Sequence, residues 1–103
     1  MSDRMRQLQQ MLQRQPDDPF LLYGLAMEYK KGSEFDLALE YLARALKADP
    51  NYCYAYYQRG MVHESLGESD EAKRAYREGI AAAQRSGDAH AKEELSAALS
   101  MLG

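Results

Sequence analysis

Cysteine is nearly missing from this chain and tryptophan is absent: 103 residues contain Cys53 alone and no Trp. One thiol makes no intramolecular disulfide, and residues 1–7 carry no apolar leader run, so a reducing, cytoplasmic setting is expected. Nothing approaches the roughly 18 consecutive apolar residues that a membrane span requires. Neither sign of charge dominates, because 16 acidic against 13 basic side chains leave a net charge of −3. Such a molecule repels a polyphosphate, which argues against a nucleic-acid partner.

Catalytic and metal-binding groupings are equally sparse. Cys53 and His63 fall ten positions apart on one predicted helix, which separates them by roughly 15 Å and prevents them from acting as nucleophile and base. His63-Glu64 lacks the second histidine of a zinc-binding helix motif, and no group of Cys and His has ligand spacing. Glu93-Glu94 and Asp70-Glu71 read as solvated helix charges, the latter pair favoured near a helix N-terminus. The expectation is therefore no enzyme, no metal and no cofactor.

What the chain does have is an echo with a period of 34 residues: Pro16 returns as Pro50, Phe20 as Tyr54, Tyr23 as Tyr57, Met27 as Met61 and Ala38 as Ala72. A period in that range belongs to stacked helical hairpins, each of which buries its apolar side against the next. Length alone allows one core, since a chain of this size buries roughly 60 to 70% of the surface its unfolded form exposes. The class is all-α, as no segment alternates with the period of two that strands need.

The punctuation predicts six helices. The first covers 3–14, capped by Ser2, with Met1, Met5, Leu8, Met11 and Leu12 forming an apolar stripe. Asp18 caps a second helix over 19–31, with Pro19 at its first position. Gly32 is expected to take the left-handed conformation that ends it, and Ser33 or Glu34 to begin a third helix lasting to Ala48. After Asp49-Pro50-Asn51 come a fourth helix near 52–66 ended by Gly67, and a fifth near 70–85 capped by Ser69. Asp88 opens a final helix over 89–102, whose stripe is Ala91, Leu95, Ala98, Leu99 and Leu102. Lys92, Glu93 and Ser96 are expected on its solvated side, the polar outer face that closes a repeat array.

These residues resemble the tetratricopeptide repeat (TPR) family. The first full repeat, 19–52, supplies Leu22, Leu25, Ala26, Tyr29, Ala38, Leu42, Ala45 and Pro50 at the family's positions. The second, 53–86, supplies Tyr56, Gly60, Ala72 and Tyr76, but departs with Arg59 for Leu, His63 for an aromatic, Gly79 for Ala and Gln84 for Pro. Residues 2–15 align with the second helix of a preceding repeat (Leu8 with Leu42, Leu12 with Leu46), and 88–102 look like a capping helix. The resemblance implies a single domain, a short right-handed α-solenoid of antiparallel helix hairpins. Small residues at Ala26, Ala38, Ala45, Gly60, Ala72 and Ala75 allow helices to approach closely, so a bulky replacement there should overpack at a cost of about 1 to 3 kcal/mol.

In this family the concave face is built mainly from the first helix of each repeat. The resemblance therefore places Phe20, Tyr23, Met27 and Lys30 beside Tyr54, Tyr57, Met61 and Glu64, followed by His90, Glu93, Glu94 and Ala97. The six apolar members, Phe20, Tyr23, Met27, Tyr54, Tyr57 and Met61, are the candidate peptide-binding groove. Aromatic and methionine side chains suit a surface that receives a helical or extended peptide, although a stripe of this kind also serves as core. Its cover is a foreign peptide, a second copy of the chain, or a helix of its own.

Some TPR domains clamp the C-terminal carboxylate of heat-shock chaperones with Lys, Asn and Arg. The aligned positions here hold Tyr23, Met27, Gln58, Met61, His90 and Glu94, so that clamp is not expected. The favoured function is an adaptor or scaffold that binds a protein or peptide. The alternative is a homodimer formed through the same apolar surface or through the N-terminal helix (Met1, Met5, Leu8, Leu12). Arg59, at an apolar position, either packs its stem and solvates its guanidinium, or stacks on an aromatic or pairs with a carboxylate beside the groove.

Overall fold

The computed structural model describes residues 2–103. Those residues form six helices and no strand: α1 (Asp3–Arg14), α2 (Pro19–Lys31), α3 (Phe35–Ala48), α4 (Cys53–Ser65), α5 (Ser69–Ser86) and α6 (Ala89–Met101). The chain is an all-α helical repeat whose helix limits fall close to those predicted. Met1, assigned to the stripe of α1, lies outside the described residues.

Three of the helix starts use a side-chain cap. Ser2 Oγ accepts from Met5 N at 3.1 Å, Asp18 Oδ1 from Phe20 N at 2.9 Å and Leu21 N at 3.3 Å, and Asp88 Oδ1 from Ala91 N at 3.0 Å. Each satisfies an N–H that the first turn leaves without a partner. Ser69 is not a cap: it is the first helical residue of α5, preceded by Glu68, which makes no side-chain cap bond. Helix α3 starts in the same way, at Phe35 behind Glu34.

The end of α2 departs from expectation. Gly32 has an ordinary φ of −86°, and the left-handed residue is Ser33, with φ 59°. Glu34 N donates to Tyr29 O and Ser33 N to Lys30 O, both at 2.9 Å. At the end of α4, Gly67 has φ 73°, Glu68 N donates to His63 O at 2.8 Å and Gly67 N to Glu64 O at 3.0 Å. Both ends are the same Schellman motif one period apart, and the repeat register, not the nearest glycine, decides which residue turns left-handed.

Two compact units divide at Asp49 and Pro50. In the first, Met5 and Leu8 of α1 are buried with Leu21 and Leu25 of α2, and Leu12, Tyr29 and Tyr41 pack against that cluster. Met11, predicted on the same stripe, is 52% exposed; it lies on the outer flank of the turn that buries Leu8. Ala26, Ala38 and Ala45 have no exposed surface, and Leu22 and Leu42 are equally buried. Each buried leucine contributes about 1.5–3 kcal/mol.

In the second unit, close approach is carried by glycine as well as alanine. A Cβ on Gly60 would stand 2.2 Å from the Tyr76 ring, and one on Gly79 would stand 2.8 Å from both Tyr56 Cβ and Leu95 Cδ2. The departure from Ala at position 79 is therefore required by packing. Tyr76 is wholly buried and donates its hydroxyl to Glu64. Where α3 is stopped by Asp49-Pro50, α5 meets Ala83-Gln84 and continues, reaching 18 residues against 14. On that added turn, Arg85 donates to Asn51 Oδ1 at 3.1 Å and to Pro50 O at 3.3 Å. Gly87, φ 70°, ends it in the left-handed region. Helix α6 packs on α5 and touches α4, with Ala91 and Leu95 buried and Ala98, Leu99 and Leu102 half-buried; Lys92 and Glu93 are exposed, while Ser96 is half-buried.

Candidate interaction surface

Helices α2 and α4 each bury one side and leave another to carry an apolar strip. On α2 the buried side is Leu21, Leu22, Leu25 and Ala26. Phe20, Tyr23, Met27 and Lys30, three or four residues apart, lie on the remaining side of the helix. Phe20 is 67% exposed, and Tyr23, Met27 and Lys30 are half-buried. Burial lowers the Lys30 ammonium below the usual lysine pKa.

On α4 the buried side is Cys53, Ala55, Tyr56, Gly60 and Val62, and the strip is Tyr54, exposed, with Tyr57 and Met61 half-buried. Two of its members have neighbours the sequence did not reveal. Tyr57 lies with its ring centroid 6.0 Å from that of Tyr76 on α5, so part of it serves the core. Tyr54 Oη donates to Glu94 Oε1 of α6 at 3.0 Å, and the same carboxylate oxygen lies 2.8 Å from His90 Nε2. The bond to Glu94, then desolvation, raises the Tyr54 phenol above its ordinary pKa. Burial, followed by the bond to Glu64, raises that of Tyr76 further. Away from the first strip, against the cluster of α1 and α2, Tyr41 packs at 5.3 Å from Tyr29 with the Arg44 guanidinium 4.9 Å above its ring, a stack that the sequence pattern does not reveal.

Arg59 pairs with a carboxylate: its Nη1 lies 3.6 Å from Glu78 Oε2 of α5, with the side chain about one-third exposed. The pair sits on the α5 side of α4, away from the Tyr and Met strip, so the guanidinium does not face that strip. Cys53 and His63 have separate partners. Cys53 is buried with Sγ 3.4 Å from Asn51 O and 3.9 Å from Ser86 Oγ; His63 Nδ1 lies 2.8 Å from Glu68 Oε1. Among the described residues no cluster of His, Cys, Asp or Glu is disposed to hold a metal ion, and no helix is long and apolar enough to cross a membrane.

The tetratricopeptide-repeat pattern matches residues 21–52 and, in a second phase, residues 41–74. A TPR repeat-containing protein of Pseudomonas aeruginosa is 30% identical over 95 residues, which is 92% of this chain and 90% of that protein. A protein of Bordetella parapertussis, solved in solution, is 33% identical with a TM-score of 0.84, over 99% of this chain and 89% of its own. The TPR2B domain of yeast Sti1, solved in a complex with pHsp70, has the same fold at 17% identity, with a TM-score of 0.87 over 95% of this chain and 78% of its own. With its period, its buried small residues and its two Schellman ends in register, this chain belongs to the tetratricopeptide-repeat family.

Proposed function

We propose that the chain is a protein–protein interaction module that acts as one domain and receives a helical or extended peptide on the strips Phe20, Tyr23, Met27 and Tyr54, Tyr57, Met61. The observation that carries this reading is Phe20, 67% exposed on a helix whose opposite side is fully buried: the core has no need of it. A large exposed aromatic beside half-buried Tyr and Met is characteristic of a contact surface. That the yeast domain of this fold was solved in a complex supports a binding role. The carboxylate clamp is not part of the proposal, since Glu94, at one of its positions, already engages Tyr54 and His90. We place the module in the cytoplasm, where the single free thiol of Cys53 stays reduced, and assign it neither catalysis nor nucleic-acid binding.

Self-association is the second reading. Its N-terminal version has less support, because Met5 and Leu8 are buried against α2; the better-supported version is dimerisation through the strips. Peptides selected from a random display library against the full chain test both readings. Selected peptides should lose about tenfold or more in affinity to the Phe20→Ser/Tyr54→Ser variant, with helicity retained and the free chain monomeric by light scattering. Undiminished binding by that variant would refute the first reading, and a concentration-dependent dimer abolished by the same pair would establish the second.

A further inference from the structure

From the second unit alone we infer that the face shared by α4 and α6 takes a cationic partner, a peptide whose apolar side is bordered by lysine or arginine. The inference rests on the interaction reading above and adds the sign of the partner's charge. Tyr54, Tyr57 and Met61 end at Glu64, one turn further along the same side of α4, which is exposed. The bond from Tyr54 to Glu94, 3.0 Å, brings α6 against that strip. On α6, Glu93 immediately precedes Glu94 and is exposed. Glu64 and Glu94 therefore border the apolar strip, and Glu93 adds a third negative charge on the exposed surface of α6.

The arginine and lysine side chains of the two helices are directed elsewhere. Arg59 meets Glu78 of α5, and Lys92 lies beside Ala83, Gln84 and Gly87. His63 is held by Glu68; His90 lies on the face itself, against Glu94, and adds a positive charge there only when protonated. Glu64 and Glu94 each accept from a tyrosine hydroxyl, and a carboxylate has further lone-pair sites for incoming N–H donors. The tyrosine ring faces also attract a cation. An acidic peptide would instead set like charges side by side, which is how such a face rejects the wrong partner. The strip on α2 has the opposite surroundings, running into Lys30 and Lys31, so the preference belongs to the second unit and not to apolar strips at large.

Three labelled synthetic peptides test this against the full chain by fluorescence anisotropy at low salt. They share leucines at helical spacing and differ only in Lys, Glu or Ser at the flanking positions. At a pH of about 8, above the usual histidine range, the Lys peptide should bind at least about tenfold tighter than the Glu peptide. The difference should shrink severalfold at about 0.5 M salt and in the Glu64→Gln/Glu93→Gln/Glu94→Gln variant, whose amides still accept from Tyr54 and Tyr76. Should that variant lose helicity, Glu93→Gln/Glu94→Gln alone gives the same comparison. A Glu peptide that binds as well as the Lys peptide, or a preference that survives the Gln changes, would overturn the inference. Equal binding of all three, lost in Tyr54→Ser/Met61→Ser, overturns the charge preference and leaves the interaction reading standing. No binding by any of them overturns both for this face.

Discussion

Replacing Gly60 by alanine adds one carbon at the glycine with the least room for it. The new Cβ would lie 2.2, 2.5 and 2.7 Å from three carbons of the Tyr76 ring, where ordinary contact begins at 3.4 Å. The ring has nowhere to go: it is wholly buried, its hydroxyl is bound to Glu64, and Tyr57 packs beside it. Overpacking of this kind costs about 1–3 kcal/mol, at times more, while glycine-to-alanine in a helix interior returns about 1 kcal/mol. With a shortfall of this size the upper part of the overpacking range applies, and a net loss of about 2 kcal/mol is expected. For a chain of this length that lowers Tm by roughly 10 °C. Urea and thermal unfolding followed by circular dichroism measure it, with Gly24→Ala as the internal control. There the added carbon meets only the flexible end of Leu8 at 3.3 Å, so the helix preference should prevail and Tm should hold or rise. A Gly60→Ala chain as stable as the parent would refute the claim that Tyr76 is immovable. If the reasoning holds, Gly60→Ala and Tyr76→Leu together should cost less than the sum of their separate effects, since both act at one contact.

Two further predictions concern backbone and charge. Ser33 occupies the left-handed region at φ 59° while Gly32 beside it does not; Ser33→Gly should therefore stabilise by a few tenths to about 1 kcal/mol, and Gly32→Ala should be tolerated, both read by denaturant midpoint. The Tyr76 phenol is held above its ordinary pKa of 10.0 by burial and by Glu64. Its contribution is thus fully present below pH 10 and is lost as pH rises beyond it, because folding must then displace a proton-free form favoured only in the unfolded chain. Tyr76→Phe should be less stable than the parent at neutral pH, and the gap should narrow in melts above pH 10; a gap independent of pH would contradict the assignment.

Much of this architecture is written in residue types. Ser2, Asp18 and Asp88 cap helices as side-chain chemistry dictates, and the spacing of Leu22, Leu25 and Ala26 marks the buried side of α2. The errors arose where residue type was preferred to register. Gly67 minus one period is Ser33, and Ser69 minus one period is Phe35, so the 34-residue echo already distinguished turn from cap at both places. Gly32 and Ser69 are good turn and cap residues standing one place away from where the hairpin needs them. The bond from Tyr54 to Glu94 was less accessible, since it depends on how α6 follows α5 after a connection that breaks the period. The sharing of Tyr57 between surface and core depends in turn on the absence of a side chain at Gly60, which lets the Tyr76 ring lie against α4.

The added turn of α5 bears on how such a chain lengthens by duplication. A segment from Pro19 to Tyr52 spans one full period and finishes on a turn whose Pro50 repeats Pro16 of the turn before it, so it can be copied head to tail with its helix phases kept. The segment that ends at Ser86 cannot, because four extra helical residues carry the chain slightly more than one full turn further round and roughly 6 Å further along before Gly87 releases it. Gln84, where the preceding repeat has Pro50, therefore breaks the helix phase that a further copy would need.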